Sequence, residues 1–599
     1  MKELHNIIET TLPLVSKPAR YIGNEVNSVH KDWDNVETKV LLAFPDIYEI
    51  GMSHVGLRIL YHVLNSEPQI LCERVFAPWT DFDQEMRQRG IPLFSLESWR
   101  PARDFDIVGF SLQYEIGYSN VLNMLDLAGI PLSNADRTES SPLVIAGGPC
   151  AFNPEPMARF FEAFVIGDGE YAVLEVASVY RSWKRRGATR RDLWRDLAKL
   201  DGVYVPELYE ARYDSAGKFQ SLESRDSTAP SVIKKRTVAD LDAAPYPTAP
   251  IVPFIDIVHD RLAVEIMRGC PGSCRFCQAT TIYSPARERS VEKIQELIRA
   301  GLESTGYEEI SLTSLSSTDH GCIGEIIKWV RDTFDGQHLS LSLPSLRFDS
   351  FSADLARMIA MEKRTGLTFA PEAGTERLRN AVNKRISDEE MLRVIRTLFD
   401  AGWKAVKLYF MVGLPTETHE DLEGVARLAT SMARLGRKTA GHKTRINVAV
   451  SAFIPKPHTP YQWEKMPEED ELRQKYELLR AGLRAKQITF SWRDTALAKL
   501  EATFARGDRR LGEVILNAWQ AGARFDAWSS EMRFDIWREA WAMSEIPFDF
   551  CSIPPPSHGD PLPWQHIDTG VTVNYLLEER EETYSGCAHS NVDAENKIS

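Results

Sequence analysis

The 599-residue chain is expected to be an α/β protein. It would carry an N-terminal Rossmann-like open parallel sheet, a central partial (β/α)6 TIM-type barrel and a C-terminal, mostly helical extension. Three observations predict this. Short apolar runs recur along the first three quarters of the chain, and several end in glycine or small residues, as buried parallel strands do. Segments with helical spacing of apolar residues separate them. The chain is also too long for one hydrophobic core.

Residues 1–38 form an N-terminal extension. From 39 to 172, KVLLAF (Lys39–Phe44), DIVGFSL (Asp106–Leu112), PLVIAGG (Pro142–Gly148) and AFVIGDG (Ala163–Gly169) are strands, with GLRILYHVL and SNVLNMLDLAG as helices between them. Ligands of such a sheet lie beyond the carboxyl ends of its strands. Residues 173–260 are a connector, with the basic stretch RSWKRRGATRRDLWRDLAK and then proline punctuation in AAPYPTAPIVP. Over 261–468, LAVEIMRG, EEISLTSLSS, LSLSLPSLRF, GLTFAPEAG, AVKLYFMVGLP and INVAVSAFIP are six further strands, a pattern that predicts a barrel working at its carboxyl-terminal face. Residues 469–577 are mostly helical, and the polar stretch 578–599 is expected to be mobile.

Hydrophobic residues make up 43% and charged residues 26%, an ordinary globular composition. The formal charge of −14 argues against general affinity for nucleic acid. A local exception is Arg181–Arg195, with seven Lys or Arg around Trp183 and Trp194, and RGDRR adds more at Arg506–Arg510. That stretch suits RNA phosphates and base stacking, or else a solvated helix with its apolar side docked. The start lacks a leader pattern, and no run approaches the roughly 18 apolar residues of a membrane span. A cytoplasmic protein without membrane partners is expected.

The most informative segment is RGCPGSCRFC, which spaces Cys270, Cys274 and Cys277 with three and then two residues between them. Three thiolates so close in sequence can hold three corners of an iron–sulfur cube and leave the fourth iron open to a substrate or cofactor. Ferredoxin-type runs carry four cysteines. Structural zinc wants four ligands, and His259, His320 and Cys322 are not placed to complete a set. Disulfides fit poorly, since Cys72, Cys150, Cys322, Cys551 and Cys587 are scattered singly. The triad follows the first barrel strand, where such barrels build their sites.

The triad, with Phe276 before its third cysteine, resembles the radical S-adenosylmethionine (SAM) enzymes. VEIMRGCPGSCRFCQA, YSPARERS, FAPEAGTERLRNAVNK, KLYFMVGLPTETHEDL and FIPKPHTPYQW are similar to blocks of the branch with an N-terminal cobalamin-binding-type domain, and RGDRRL, GARFDAW and LPWQHIDTGV to an uncharacterised bacterial group within it. The resemblance implies a 4Fe–4S cluster on Cys270, Cys274 and Cys277 that binds and reductively cleaves SAM. It places Phe276 near the adenine, lets Gly413 admit the adenine to the backbone, and makes Ser345, Arg347 and Glu372 candidates for the ribose and carboxylate. Where many members carry Gly-Gly-Glu after the second strand this chain has TSLSS, so Thr313, Ser316 or Ser317 would take the amino group.

For cobalamin the resemblance points to Ser111, Leu112, Gly147 and Gly148. The usual Asp-x-His-x-x-Gly is absent, because Met52 stands two residues before His54, so His54 is expected to start a helix rather than bind cobalt. Cys587 with His589 cannot complete a second metal site. The function implied is radical modification of an unknown substrate, with cobalamin-dependent methylation as its sharpest form and an electron donor such as flavodoxin or ferredoxin. The rivals are modification of RNA or a metabolite without cobalamin, and a non-catalytic iron–sulfur RNA-binding or assembly factor.

Overall fold

Apolar runs pair as parallel strands in two places, and the chain divides into two units. One comprises Met1–Asp260, Thr503–Cys551 and His558–Thr569, the other Arg261–Ala502, Ser552–Ser557 and Gly570–Ser599. The structure is a computed structural model describing residues 2–348, 351, 355, 367–544, 546 and 559–585. Cys551, Cys587 and His589 lie outside the described residues.

The first unit is built on β1 (Thr38–Phe44), β2 (Ile70–Phe76), β3 (Ile107–Ser111), β4 (Leu143–Gly147), β5 (Ala163–Val165) and β6 (Val203–Tyr204). Their order is β2-β1-β3-β4-β5-β6, parallel except for β6, which pairs antiparallel with β5. The first five follow the flavodoxin-like order, whose ligand crevice lies between β1 and β3.

Strand β2 is absent from the expected set. Glu73 and Arg74 interrupt its apolar run, yet all seven residues are buried. Burial is tolerable because Arg74 meets Glu97 at 2.6 Å and Glu25 at 2.8 Å, a triad closed by residues far away in sequence.

Two expected boundaries are corrected. The connector is part of the first unit: it supplies β6 and the strand Ile233–Lys234, which pairs with Ile567–Asp568. Much of the C-terminal extension also belongs there. Helix Leu511–Gln520 packs on helix Tyr118–Ala128. Ser119 Oγ donates to Asp526 at 2.5 Å, Trp537 Nε1 to the same carboxylate at 2.9 Å, and Asn153 to the carbonyls of Ala505 (2.9 Å) and Gly507 (3.0 Å).

The second unit contains β7 (Leu262–Glu265), β8 (Glu309–Thr313), β9 (Ser340–Ser342), β10 (Leu367–Glu372), β11 (Ala405–Val412), β12 (Arg445–Ala452) and β13 (Ile488–Trp492). They form parallel sheets β7-β8-β9 and β10-β11-β12-β13, joined through a parallel bridge between Leu346 and Phe369. The six expected strands are present. β13 is a seventh, lying past the expected barrel limit at 468.

Alternation along these strands defines the site. On β10, β11 and β12 one face is buried beneath the helices while the other is half-buried or exposed. A closed TIM barrel fills its interior with packed side chains. Here Glu265, Thr313, Glu372, Lys407, Tyr409, Asn447 and Ser451 instead line an accessible inner face.

Candidate active site

The cysteine loop leaves β7 and is tied at its base by an antiparallel ladder, Met267 opposite Glu288 and Arg268 opposite Arg287. Gly269 opens it at φ +87°, where a Cβ would lie 2.6 Å from the Tyr283 carbonyl oxygen. Three contacts clamp the loop onto the segment after helix Glu376–Ala381. Arg275 N–H donates to the Val382 carbonyl (3.1 Å), Arg275 Nη1 to the Ala381 carbonyl (2.8 Å), and Asn383 Nδ2 to Ser273 Oγ (2.8 Å). Helix Val573–Ser585 adds Glu579 and Glu582, which bind the buried Arg275 at 3.0 and 2.6 Å. The tail expected to be mobile from 578 is therefore helical as far as 585 and braces the cysteine loop.

Within the loop Cys274 is buried, while Cys270 and Cys277 are half-buried, and all three are free thiols. Gly272 N–H donates to Cys270 Sγ at 3.4 Å. Burial pushes the Cys274 thiol up to about 12, against the pull of the Lys384 and Arg347 cations. Burial also raises Cys277, opposed by the amides of Ala279 and Thr280. Lys384 pairs with Glu372 at 3.0 Å. Burial opposes the Lys384 charge, yet Glu372 and the Cys274 sulfur together hold its pKa above the ordinary value. Among the described residues no three His, Cys, Asp or Glu groups approach closely enough to hold one metal ion. Among the described residues no fourth ligand completes a structural zinc set around the three thiols. With amides and two cations behind them, they fit an anionic multi-iron cluster.

Glu372, at φ +68°, and Arg347 both stand beside the triad. A Cβ on Gly272 would lie 2.3 Å from Arg347 Nη1, so the glycine lets the guanidinium run alongside the loop. Ser345 is half-buried and its carbonyl accepts the Ser317 N–H at 3.0 Å. Thr313, half-buried at the end of β8, faces inward.

One expectation, that of the two serines, is corrected. Ser316 and Ser317 are fully buried, their hydroxyls donating to Asp319 (2.6 Å) and to the Leu312 carbonyl (2.9 Å), so they shape the loop instead of meeting a ligand. Gly413, at φ +84°, is required by Pro467, whose Cγ would lie 2.2 Å from a Cβ, and its amide donates to Glu417 at 2.9 Å. Phe276 packs with Met411 against the apolar cluster of Leu378, Val382, Leu414 and Phe453. Sequence reasoning missed Arg275, Lys384 and Glu265, the last held by Arg268 (2.9 Å) and Arg289 (3.2 Å). Their partners are remote or outside any recognised spacing.

In the first unit, the Ser111–Leu112 and Gly147–Gly148 loops close on each other. Leu112 N–H donates to the Gly147 carbonyl at 2.8 Å, and a Cβ on Gly148 would lie 2.7 Å from the Leu112 oxygen. Ser111 Oγ accepts from Gln113 at 2.8 Å. His54 caps helix Val55–Ser66, its Nδ1 accepting the Leu57 N–H at 3.0 Å, as a helix start should. Its ring also bonds Gln113, and burial lowers it to about 4.

The basic stretch is ion-paired along its length. Arg181 and Arg185 meet Glu37, Lys184 meets Asp106, Arg186 meets Asp196, Arg190 meets Glu162, and Arg191 and Arg195 meet Asp226. Trp183 is only 3% exposed and Trp194 donates to Glu162. This is a docked helix pair, not an open platform for bases.

Residues 264–429 match the family "Radical SAM superfamily", and residues 56–206 match "Radical SAM proteins, N-terminal". The chain belongs to the radical SAM superfamily. Enzymes of this superfamily use a 4Fe–4S cluster and SAM, and they need an electron donor. An uncharacterised protein of Methanocaldococcus jannaschii is 27% identical over 80% of this chain and 90% of its own length. The ribosomal protein uS12 methylthiotransferase RimO of Heliobacterium modesticaldum is 26% identical over 27% of this chain and 36% of its own. Among solved structures, the radical SAM methyltransferase TsrM of Kitasatospora setae aligns at TM-score 0.47 and 14% identity, covering 71% of this chain and 74% of that one. The cobalamin-dependent enzyme OxsB aligns at TM-score 0.46 and 13% identity, covering 81% and 71%. No helix among the described residues is long and apolar enough to cross a membrane.

Proposed function

We propose that this radical SAM enzyme is cytoplasmic, that Cys270, Cys274 and Cys277 hold three irons of its 4Fe–4S cluster, and that the inner face of its barrel receives SAM and substrate. The observation that carries the reading is the clamped thiol loop at the carboxyl end of β7, beside an inner face that is accessible instead of packed. When bound and reduced, the cluster supplies the electron that cleaves a C–S bond of SAM. The chain's own residues do the rest. The amides of Gly272, Ala279 and Thr280 and the charges of Lys384 and Arg347 stabilise thiolates. Glu372, Arg347, Ser345 and Thr313 offer polar contacts to SAM at the strand ends. Arg275 and helix Val573–Ser585 hold the loop still. A flavodoxin or ferredoxin would deliver the electron.

Protein reconstituted without oxygen should be brown, contain about four irons per chain, and release 5′-deoxyadenosine with reductant and SAM. Cys274→Ala should lose both colour and cleavage while keeping its far-ultraviolet circular dichroism. Tetrathiolate zinc, or an iron centre indifferent to SAM, would overturn the assignment.

A second reading, supported by the flavodoxin-like strand order, seats cobalamin at the β1/β3 crevice and makes the reaction methylation of an unactivated carbon. His54, occupied by its helix and by Gln113, would not ligate the cobalt. Co-purifying cobalamin would support it; turnover by cobalt-free protein would exclude it.

A further inference from the structure

Among the described residues two inward cations of the barrel strands lack a carboxylate partner: Arg445, exposed at the start of β12, bonds the carbonyls of His442 and Thr444, whereas Lys407 has no such bond. Among the described residues each carboxylate on the inward positions of these strands has a cation: Glu265 has Arg268 and Arg289, Glu309 has Arg261, and Glu372 has Lys384. Lys407 of β11 is also inward, and among the described residues no carboxylate pairs with it. Its register neighbours are Thr368 on β10 and Asn447 on β12, both neutral and able to donate. The Lys407 ammonium lies 4.7 Å from the centroid of the Tyr409 ring.

Tyr409 is the second anomaly. It stands in the middle of an eight-residue strand, yet it is 41% exposed. A large aromatic at such a position is normally covered. Ala449 is paired with it, and Ser491 lies beyond Ala449 in register, so the surface beside the ring is kept low. Depth separates this place from the cluster. Met411, in the apolar cluster with Phe276, is four residues nearer the strand end, which puts the Lys407 backbone roughly 13 Å further down the barrel.

We propose that the barrel selects a substrate carrying an anionic group, carboxylate or phosphate, on a planar ring. The anion meets Lys407, Asn447 and Thr368, and the ring lies on Tyr409. A half-buried ammonium without a counter-ion is incomplete until an anion arrives. An aromatic face flanked by small residues takes a flat partner. This substrate class rests on the radical SAM reading and deepens it.

The test uses reconstituted full-length protein with SAM, titrated calorimetrically with phenyl phosphate, benzoate, inorganic phosphate and benzyl alcohol. At least one ring-bearing anion should bind tenfold or more tightly than benzyl alcohol and inorganic phosphate, and the better of the two identifies the anion. Lys407→Gln should weaken that probe about tenfold (about 1.4 kcal/mol), and Tyr409→Leu should weaken it without affecting inorganic phosphate. Lys407→Arg should retain it, as should the control Lys404→Gln. Lys407→Met replaces the glutamine variant should that one misfold. Equal binding of benzyl alcohol, unchanged binding by Lys407→Gln, or a parallel tenfold loss of SAM affinity in that variant would overturn the proposal. Wild-type protein that cleaves no SAM would instead sink the underlying reading, so the two failures are separable.

Discussion

Glu73 shows how one buried carboxyl sets a pH dependence. Burial and the neighbouring Glu97 raise it from 4.5 to about 7. The folded state therefore holds the proton more tightly than the unfolded one. Stability declines as pH rises from about 4.5 through 7, by up to roughly 3 kcal/mol. Glu73→Gln should match wild type near pH 4.5 and exceed it by about that amount at pH 8, measured by urea unfolding. Equal midpoints at both pH values would refute the account. At the same scale the cysteine triad was legible because its spacing lies within eight residues. Lys384 and Arg275 were not, because what they do is defined by Glu372, Glu579 and Glu582, which only folding brings near.

At the scale of elements, helix Val573–Ser585 is a brace for the cysteine loop. Besides Arg275 it engages Tyr461 through Thr583 (3.1 Å), and Glu464 through Arg580 (2.6 Å) and Tyr584 (2.8 Å). Replacing both Glu579 and Glu582 with Gln leaves a buried guanidinium without its charges. This should cost roughly 2–3 kcal/mol of stability and lower iron per chain after reconstitution. Unchanged iron loading would show that the loop holds itself. The polar sequence of this helix disguised it, since its stability comes from ion pairs with the loop and not from an apolar stripe. Strand β2 was hidden for the converse reason: its internal Glu73 and Arg74 look like surface residues until Glu25 and Glu97 are seen to bury with them.

At the scale of the whole molecule, the chain leaves its second unit for the first at Thr503 and ends in the second again from Gly570. A fragment of residues 1–260 lacks the helix that covers Tyr118–Ala128 and the Asp526 carboxylate that receives Ser119 and Trp537. Expressed alone it should aggregate or unfold without a cooperative transition, and co-expression with residues 503–569 should restore one in circular dichroism. A fragment that unfolds cooperatively by itself would refute this. Membership of the radical SAM superfamily, by contrast, needs no such assembly to be recognised, because its marks are local blocks.

The sequence by itself determined the α/β class, six barrel strands, four strands of the first sheet and the cysteine triad, because periodicity and short-range spacing are written between neighbours. Tertiary structure alone decided which unit each C-terminal segment joins. It likewise turned Ser316 and Ser317 into loop-building residues and, among the described residues, left Lys407 without a carboxylate partner. Unit membership depends on contacts between residues tens to hundreds of positions apart, and the burial that occupies the two serines arises only on folding, so no local pattern encodes either.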